Sequence, residues 1–163
     1  MNLLKNKNIL IVGVANKHSI AAGIAQSMSE NGANIALTYQ NERLKSNVEK
    51  IGQELEIKTV LPCDVSSDIE IKETFKNLAK EWDGLDGVIH AVGYAPREEL
   101  DGEFVDVTSR QGFQIAHDIS SYSFIGLAKE AKNMMKGRNG SLLTLSYLGS
   151  QMTLPNYNVM GLA

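Results

Sequence analysis

The stretch from Lys7 to Ala25, KNILIVGVANKHSIAAGIA, constrains the fold of this chain more than any other. Its apolar run stops at Gly13, and from Ser19 onward small and apolar residues recur at helical spacing. The pattern predicts a buried strand, a turn and a helix. The N-terminus of such a helix favours an anion, so the turn is a candidate site for a dinucleotide pyrophosphate. Since Gly13 and Gly23 do not form the common G-x-G-x-x-G pattern, an ordinary strand-to-helix turn is the alternative.

The same alternation of strand and helix continues along the chain. No strand follows another directly, which predicts a single α/β domain over residues 1–163 with a doubly wound, mostly parallel sheet of Rossmann type. Strands are expected at Ile9–Val12, Ala33–Tyr39, Ile57–Pro62, Leu85–Ala91 and Ser141–Ser146. Helices are expected from Ser19 to about Asn31, from Glu42 to Leu55, from a cap at Asp68 to about Trp82, and from about Phe113 to Met135, with a surface loop over Pro96–Gly112.

Five short segments lie at the carboxyl ends of the predicted strands and should gather at one edge of the sheet. Ligands of open parallel sheets bind beyond the carboxyl ends of the strands. The convergence of these segments predicts a dinucleotide site more strongly than the first turn does alone. They are marked by Gly13, Gln40, Asp64, Gly93 and Ser146.

Gln40, at the end of the second predicted strand, bears on the choice of cofactor. An acidic residue there would bind the 2′-hydroxyl of NAD, whereas basic residues would accept the 2′-phosphate of NADP. Gln40 can bind a hydroxyl without charge, and the nearest cation, Arg43, lies a turn further on, which favours NADH over NADPH. A plain surface turn is the alternative. Asp64 could accept from the adenine amino group or could be a turn or N-cap acid.

Composition excludes several classes of function. The 163 residues carry a formal net charge of −3, which argues against general nucleic-acid binding. No apolar run approaches the roughly 20 residues of a membrane helix, so no membrane insertion is expected. The start, MNLLKNKN, is too short and too weakly apolar for a secretory signal, which predicts a cytoplasmic protein. The lone Cys63 and the strand residue His90 are interpreted as buried core residues.

The pattern becomes specific when the second half of the chain is read with the first. The motifs are G-V-A-x-x-x-S-I-A at Gly13, T-Y-Q-N at Thr38, C-D-V at Cys63, I-A-H-D-I-S-S-Y-S-F at Ile115, and L-T-L-S-Y-L-G with P-N-Y-N-V-M-G-L-A at the end. In these runs the chain resembles the short-chain dehydrogenase/reductase superfamily and, within it, the bacterial enoyl-[acyl-carrier-protein] reductases that use NADH. The resemblance covers the whole chain.

The resemblance implies a reaction and two catalytic tyrosines. The reaction reduces a trans-2-enoyl group on acyl carrier protein in type II fatty acid synthesis, and no metal site is expected. Tyr157 matches the tyrosine that stabilises the enolate oxygen, much as an oxyanion hole does. Tyr147 matches a second active-site tyrosine that helps to place the acyl group. Without the resemblance, an amphipathic core residue would be the favoured interpretation of each tyrosine, ahead of a catalytic role.

The resemblance also implies binding roles. Gly13, Ser19 and Ile20 would hold the pyrophosphate, Gln40 the adenosine ribose, Asp64 and Val65 the adenine, and Val92 the ribose beside the nicotinamide. Ala95 would touch the substrate through its backbone.

The resemblance finally bears on the extent and assembly of the chain. The family's ribose-binding lysine would lie just beyond Ala163, and the family's last strands are missing, so we expect an N-terminal portion of a longer enzyme. A non-catalytic dinucleotide-binding fragment is the alternative. The family implies a homotetramer, and the small residues of the helix near Phe113–Met135 make it the candidate interface; a helix buried within the domain is the alternative. A superfamily reductase of ketones or alcohols is disfavoured, because Tyr147 stands where those enzymes carry serine.

Overall fold

The computed structural model describes residues 2–163, in which strands and helices alternate as the apolar pattern predicts. The strands in this range are Asn8–Val12 (β1), Asn34–Tyr39 (β2), Thr59–Pro62 (β3), Gly87–His90 (β4) and Ser141–Thr144 (β5). The α-helices are Ile20–Glu30 (α1), Glu42–Glu54 (α2), Asp68–Glu81 (α3), Phe104–Val107 (α4), Arg110–His117 (α5) and Ser123–Met135 (α6).

Within residues 2–163 the strands form one five-stranded sheet in the order β3-β2-β1-β4-β5. Every neighbouring pair is parallel; Leu10 of β1, for example, lies between Ala36 of β2 and Val88 of β4. All five residues of β1 are buried, as expected of a central strand covered on both faces. With its flanking helices, this sheet has the strand order of a doubly wound Rossmann fold, which confirms the predicted fold class.

Local capping explains where the first helices begin. The Ser19 side chain accepts from the N–H of Ala22 at the start of α1, and Asn41 does the same for Leu44 at the start of α2. Asp68 was expected to cap α3, and this expectation is wrong: Ser67 is the N-cap, and its hydroxyl accepts from the Glu70 N–H. Asp68 is instead the first helical residue, where its charge favours the helix dipole.

The region after β4 is more ordered than the sequence pattern suggests. The expected loop over Pro96–Gly112 contains a 3₁₀ turn at Arg97–Glu99, then α4 and the start of α5. The helix expected from Phe113 begins at Arg110, and a π-helical turn at Asp118–Tyr122 separates α5 from α6. These differences arise because hydrogen bonds between residues distant in sequence, described below, hold the short elements.

The chain divides into two compact units. The first runs up to Ala91 and resumes from Gly126 to Thr144, and the second comprises Val92–Ile125 and Leu145–Ala163. The first contains the whole sheet, and its buried cluster includes Ile11, Leu37 and Ile89. None of the helices that the structure describes is long and apolar enough to cross a membrane.

Candidate active site

In the first unit, the turn after β1 has the backbone geometry that an anion site needs. Gly13 has φ +107°, a conformation that costs little only without a Cβ. Ser19 caps α1, and Ile20, its first residue, is 69% exposed. The first N–H groups of a helix have no partner within the helix. Because the first turn of α1 consists of uncharged residues, this helix end can accept a negatively charged group.

Ser19 also makes hydrogen bonds that hold the turn before α1. Its hydroxyl donates to the Asn16 carbonyl oxygen at 2.7 Å and accepts from Ala22 N–H at 3.3 Å. Its own N–H also donates to the Asn16 carbonyl, at 3.0 Å. In the structure Ser19 therefore ties the turn to the helix, and a direct bond from its hydroxyl to a phosphate would replace the bond to Asn16.

The predicted adenosine-side residues follow β2 and β3, which are neighbours in the sheet. Gln40 is exposed immediately after β2, and its side-chain oxygen accepts from Asn41 Nδ2 at 3.4 Å. Asp64 follows β3 and accepts from the N–H and the hydroxyl of Ser66 at 3.0 and 2.8 Å. Val65 is buried beside it. A carboxylate has about four acceptor positions, so Asp64 can hold this turn and still receive another donor.

In the second unit, the two tyrosines predicted to be catalytic lie against each other. The ring centroids of Tyr147 and Tyr157 are 4.5 Å apart, with 37° between the ring planes. Tyr147 is 56% exposed, whereas Tyr157 is half-buried. Tyr157 directly precedes a 3₁₀ turn at Asn158–Gly161. Offset aromatic pairs of this kind stabilise a defined ring orientation.

The chemistry of Tyr157 follows from this packing. Burial and then the neighbouring Tyr147 raise the pKa of the Tyr157 phenol above its ordinary value. At neutral pH the phenol therefore keeps its proton and can donate a hydrogen bond. A protonated phenol suits an oxygen atom on which negative charge develops.

The loop between β4 and the first 3₁₀ turn carries the remaining predicted residues, Val92 and Ala95. Both are half-buried, and they flank the exposed Gly93 and Tyr94. The backbone of Tyr94 is held by a side chain that the sequence analysis did not single out as a site residue, Ser120. The sequence signals for Ser120 are its place in the run I-A-H-D-I-S-S-Y and among the small residues of the predicted long helix, and neither reveals its partner.

Two residues interpreted as core are confirmed as such within the first unit. Cys63 is 3% exposed, and burial raises the pKa of its thiol to about 11, which leaves it unreactive at neutral pH. His90 is 1% exposed, and its Nδ1 lies 2.8 Å from Thr144 Oγ1 on the adjacent strand. Across residues 2–163, no three His, Cys, Asp or Glu side chains cluster as metal ligands would.

Comparison with known proteins identifies the family. A sequence model described as enoyl-(acyl carrier protein) reductase matches residues 13–163. The chain belongs to this family. Its relatives include enoyl-[acyl-carrier-protein] reductase [NADH] FabI of Escherichia coli (strain K12), 51% identical, and that of Neisseria meningitidis serogroup B, 50% identical, each over 163 residues. The alignment takes in 100% of this chain and 62% of either relative, so the chain spans about three fifths of their length.

Solved structures in the family agree with the fold. The enoyl-[acyl-carrier-protein] reductase (NADH) of Aquifex aeolicus VF5 superposes with a TM-score of 0.96 at 48% identity, covering 98% of this chain and 63% of that one. The reductase of Anaplasma phagocytophilum, solved in complex with NAD, gives a TM-score of 0.94 at 44% identity, covering 98% and 60%. The fold and the resemblance stated from the motifs are therefore confirmed.

Proposed function

We propose that the protein is an NADH-dependent enoyl-acyl-carrier-protein reductase that saturates the trans-2 double bond of an acyl chain in type II fatty acid synthesis. The observation that carries this proposal is the Tyr147–Tyr157 pair, with ring centroids 4.5 Å apart. The names of the relatives, which specify enoyl-[acyl-carrier-protein] reductase and NADH, support the substrate and the cofactor.

The residues of the first unit fit a dinucleotide. Gly13 has no Cβ and a backbone φ of +107°, and the uncharged residues in the first turn of α1 do not repel an anion. The uncharged Gln40 suits the two ribose hydroxyls of NADH better than the extra phosphate of NADPH. In this proposal Gly13, Ser19 and Ile20 hold the pyrophosphate, Gln40 the adenosine ribose, Asp64 and Val65 the adenine, and Val92 the nicotinamide ribose.

When bound, NADH would supply the hydride that forms the new C–H bond at the β-carbon of the enoyl thioester, leaving as NAD⁺. The electron pair of the double bond then moves toward the carbonyl, whose oxygen becomes an enolate oxygen. Tyr157 would donate its O–H to that oxygen as the charge grows, and Tyr147, whose ring stacks against it, would help to place the acyl group. A proton from water at the α-carbon completes the saturated chain. Ala95 would orient the substrate through its backbone.

The proposal extends to partner, assembly and location. The substrate would be presented by acyl carrier protein. The protein would work in the cytoplasm as a homotetramer, with the α5–α6 region as part of the subunit interface. The exposed Phe113, Tyr122 and Ile125 of this region, 39%, 45% and 61% accessible, support a contact with another subunit.

The test is steady-state loss of NADH absorbance with a crotonyl thioester, using the full natural chain. Tyr157→Phe keeps the ring and removes the hydroxyl, so kcat should fall by about 10²- to 10³-fold, as when an oxyanion donor is lost. Tyr122→Phe, an identical change at an exposed tyrosine, should leave kcat within about twofold.

NADH affinity, measured by fluorescence, separates the possible outcomes. Unchanged NADH binding with lost turnover in Tyr157→Phe supports the role of Tyr157. Full activity in that variant would remove Tyr157 from the mechanism. Absence of NADH consumption by the natural protein with any enoyl thioester would overturn the proposed reaction.

A further inference from the structure

The strongest unexplained contact in the second unit is made by Ser120. This residue lies in the middle of the π-helical turn Asp118–Tyr122, between α5 and α6. Such turns are rare and frequently occur at functional sites, because the extra residue redirects side chains from the regular helical face. The Ser120 hydroxyl lies 3.0 Å from the backbone nitrogen of Tyr94 and 3.1 Å from its carbonyl oxygen.

One hydroxyl thus satisfies both backbone groups of Tyr94. A serine hydroxyl has one hydrogen to donate and two lone pairs that accept, so it can accept from the Tyr94 N–H and donate to the Tyr94 carbonyl. Tyr94 lies in a segment that forms neither helix nor strand. Its backbone is therefore fixed by this side chain rather than by a regular hydrogen-bond ladder.

Ser120 also contacts the segment that carries Tyr157. Its oxygen lies 3.8 Å from Met160 Sδ, and the Met160 N–H donates to the Tyr157 carbonyl at 3.0 Å. Because a thioether accepts hydrogen bonds weakly, the single hydroxyl hydrogen goes to the Tyr94 carbonyl and the Met160 contact is mainly one of packing. The Met160 methyl group also lies 3.4 Å from where a Cβ at Gly93 would be.

We infer that Ser120 is a positioning residue, which holds the loop Val92–Ala95 in register with the segment that carries Tyr157. The inference rests on the proposed function, in which Val92 meets the nicotinamide ribose, Ala95 the substrate and Tyr157 the thioester oxygen. Tyr94 lies between the first two in sequence, so a shift of its backbone moves the groups on both sides. Misplacement of reacting groups by about 1 Å can reduce turnover by about 10²-fold.

The first measurement needs no substrate. Replacing Ser120 by alanine removes the acceptor of the Tyr94 N–H, so exchange of this amide hydrogen should become about three- to tenfold faster, as for the loss of one hydrogen bond. Ser121→Ala is the matched control, since Ser121 is exposed in the same π turn. Ser120→Thr, which retains a hydroxyl, should restore slow exchange.

The second measurement is kinetic and uses the full natural chain with NADH and a crotonyl thioester. Ser120→Ala should lower kcat by about 10- to 100-fold and change KM for NADH much less, because the adenosine and pyrophosphate contacts are untouched and only the Val92 contact shifts. The isotope effect on kcat with NADH deuterated at the transferred position should rise, because hydride transfer becomes slower. A partly unfolded variant would lower the apparent kcat without changing the isotope effect.

The outcomes separate the two proposals. Unchanged Tyr94 exchange, or an unchanged kcat and isotope effect in an active protein, would overturn the role of Ser120 and leave the proposed reaction standing. No turnover by the natural protein would overturn the reaction, and with it the kinetic role, while the exchange data would still report the contact. If Ser120→Ala does not fold, Ser120→Cys keeps the shape with a weak hydrogen-bonding thiol, and it should show the same two changes.

Discussion

At the scale of single residues, the backbone around Tyr157 is held by the asparagines on either side of it. Asn156 and Asn158 have φ of +58° and +40°, a region that asparagine tolerates better than most residues. The Asn158 side-chain amide donates to the carbonyl oxygens of Glu99 and Gly102, each at 3.1 Å. The orientation of Tyr157 thus depends on a turn that is distant in sequence as well as on its stacking with Tyr147.

His90 gives the first unit a pH-dependent stability. Burial lowers the pKa of His90, so the unfolded chain binds a proton before the folded chain does. The contribution of His90 to the free energy of unfolding is complete above the ordinary histidine pKa of about 6.5. It falls as the pH decreases, by at most about 1.4 kcal/mol per pH unit. His90→Asn should reduce the slope of unfolding free energy against pH between about pH 5 and 7, and it should also weaken the packing around this position.

Urea unfolding followed by fluorescence of Trp82, the single tryptophan, measures this slope. His18→Asn is the control, since His18 is exposed, and it should keep the slope. A slope that survives in His90→Asn would assign the pH dependence to another group.

At the scale of elements, the start of α5 depends on a buried carboxylate. Glu99 is 2% exposed and accepts from the N–H and the hydroxyl of Ser109 at 2.9 and 2.6 Å. Ser109 is itself the N-cap of α5, with its hydroxyl accepting from Gly112 N–H at 2.9 Å. A Cβ at Gly112 would collide with the Glu99 carboxylate, so a larger residue here would have to displace that carboxylate from Ser109. These contacts convert the expected surface loop into ordered turns.

We expect Ser109→Ala to lower the free energy of unfolding more than the loss of an ordinary N-cap residue does. Loss of the cap costs about 1 kcal/mol, and loss of the hydroxyl donor to the buried Glu99 carboxylate adds about 1 to 3 kcal/mol. Exchange of the Gly112 amide hydrogen measures the opening of this helix end and should accelerate strongly. Ser109→Thr keeps the hydroxyl and should exchange like the natural protein; equal acceleration in both variants would contradict the role of the hydroxyl.

The order of the elements could be predicted from the sequence, but the contacts that hold the short elements could not. Alternating apolar runs are local, so the order of strands and helices and the turn at Gly13 could be predicted. The motifs also singled out Tyr147 and Tyr157, which the structure brings into contact. The bond from Ser120 to Tyr94 joins residues 26 positions apart, and that from Asn158 to Glu99 joins residues 59 apart. No periodic pattern encodes such pairs, which is why the π turn and the short helices were missed.

At the scale of the whole molecule, one carboxylate joins distant parts of the chain within the first unit. Asp86, just before β4, has a side chain that is only 6% exposed. It accepts from Asn8 N–H at 3.0 Å, from Arg138 Nη2 at 3.1 Å and from Lys7 Nζ at 3.2 Å. Lys7 and Asn8 lie at the start of β1, whereas Arg138 lies between α6 and β5. The contact thus anchors three strands at the amino end of the sheet.

This network sets the expected response to acid. Burial alone would raise the pKa of Asp86, but the Asn8 N–H, Arg138 and Lys7 together outweigh it and hold the pKa below its ordinary value. The resulting stability is present above the unfolded-state pKa of about 3.9 and is lost as the pH falls through the lower folded value. Asp86→Asn should lower the free energy of unfolding by about 1 to 3 kcal/mol at pH 7. The loss stays within this range because the cationic partners are only partly buried.

The same variant should differ less from the natural protein at pH 3, because the unfolded chain, with its ordinary carboxyl pKa of about 3.9, is then largely protonated at Asp86. Lys7→Ala, which removes a partner that is 48% exposed, should cost less than about 1 kcal/mol at pH 7. Urea unfolding followed by Trp82 fluorescence at the two pH values measures all three chains. If the difference between Asp86→Asn and the natural protein were equal at pH 7 and pH 3, its origin would be packing rather than charge, and the acid response would have to come from other carboxylates.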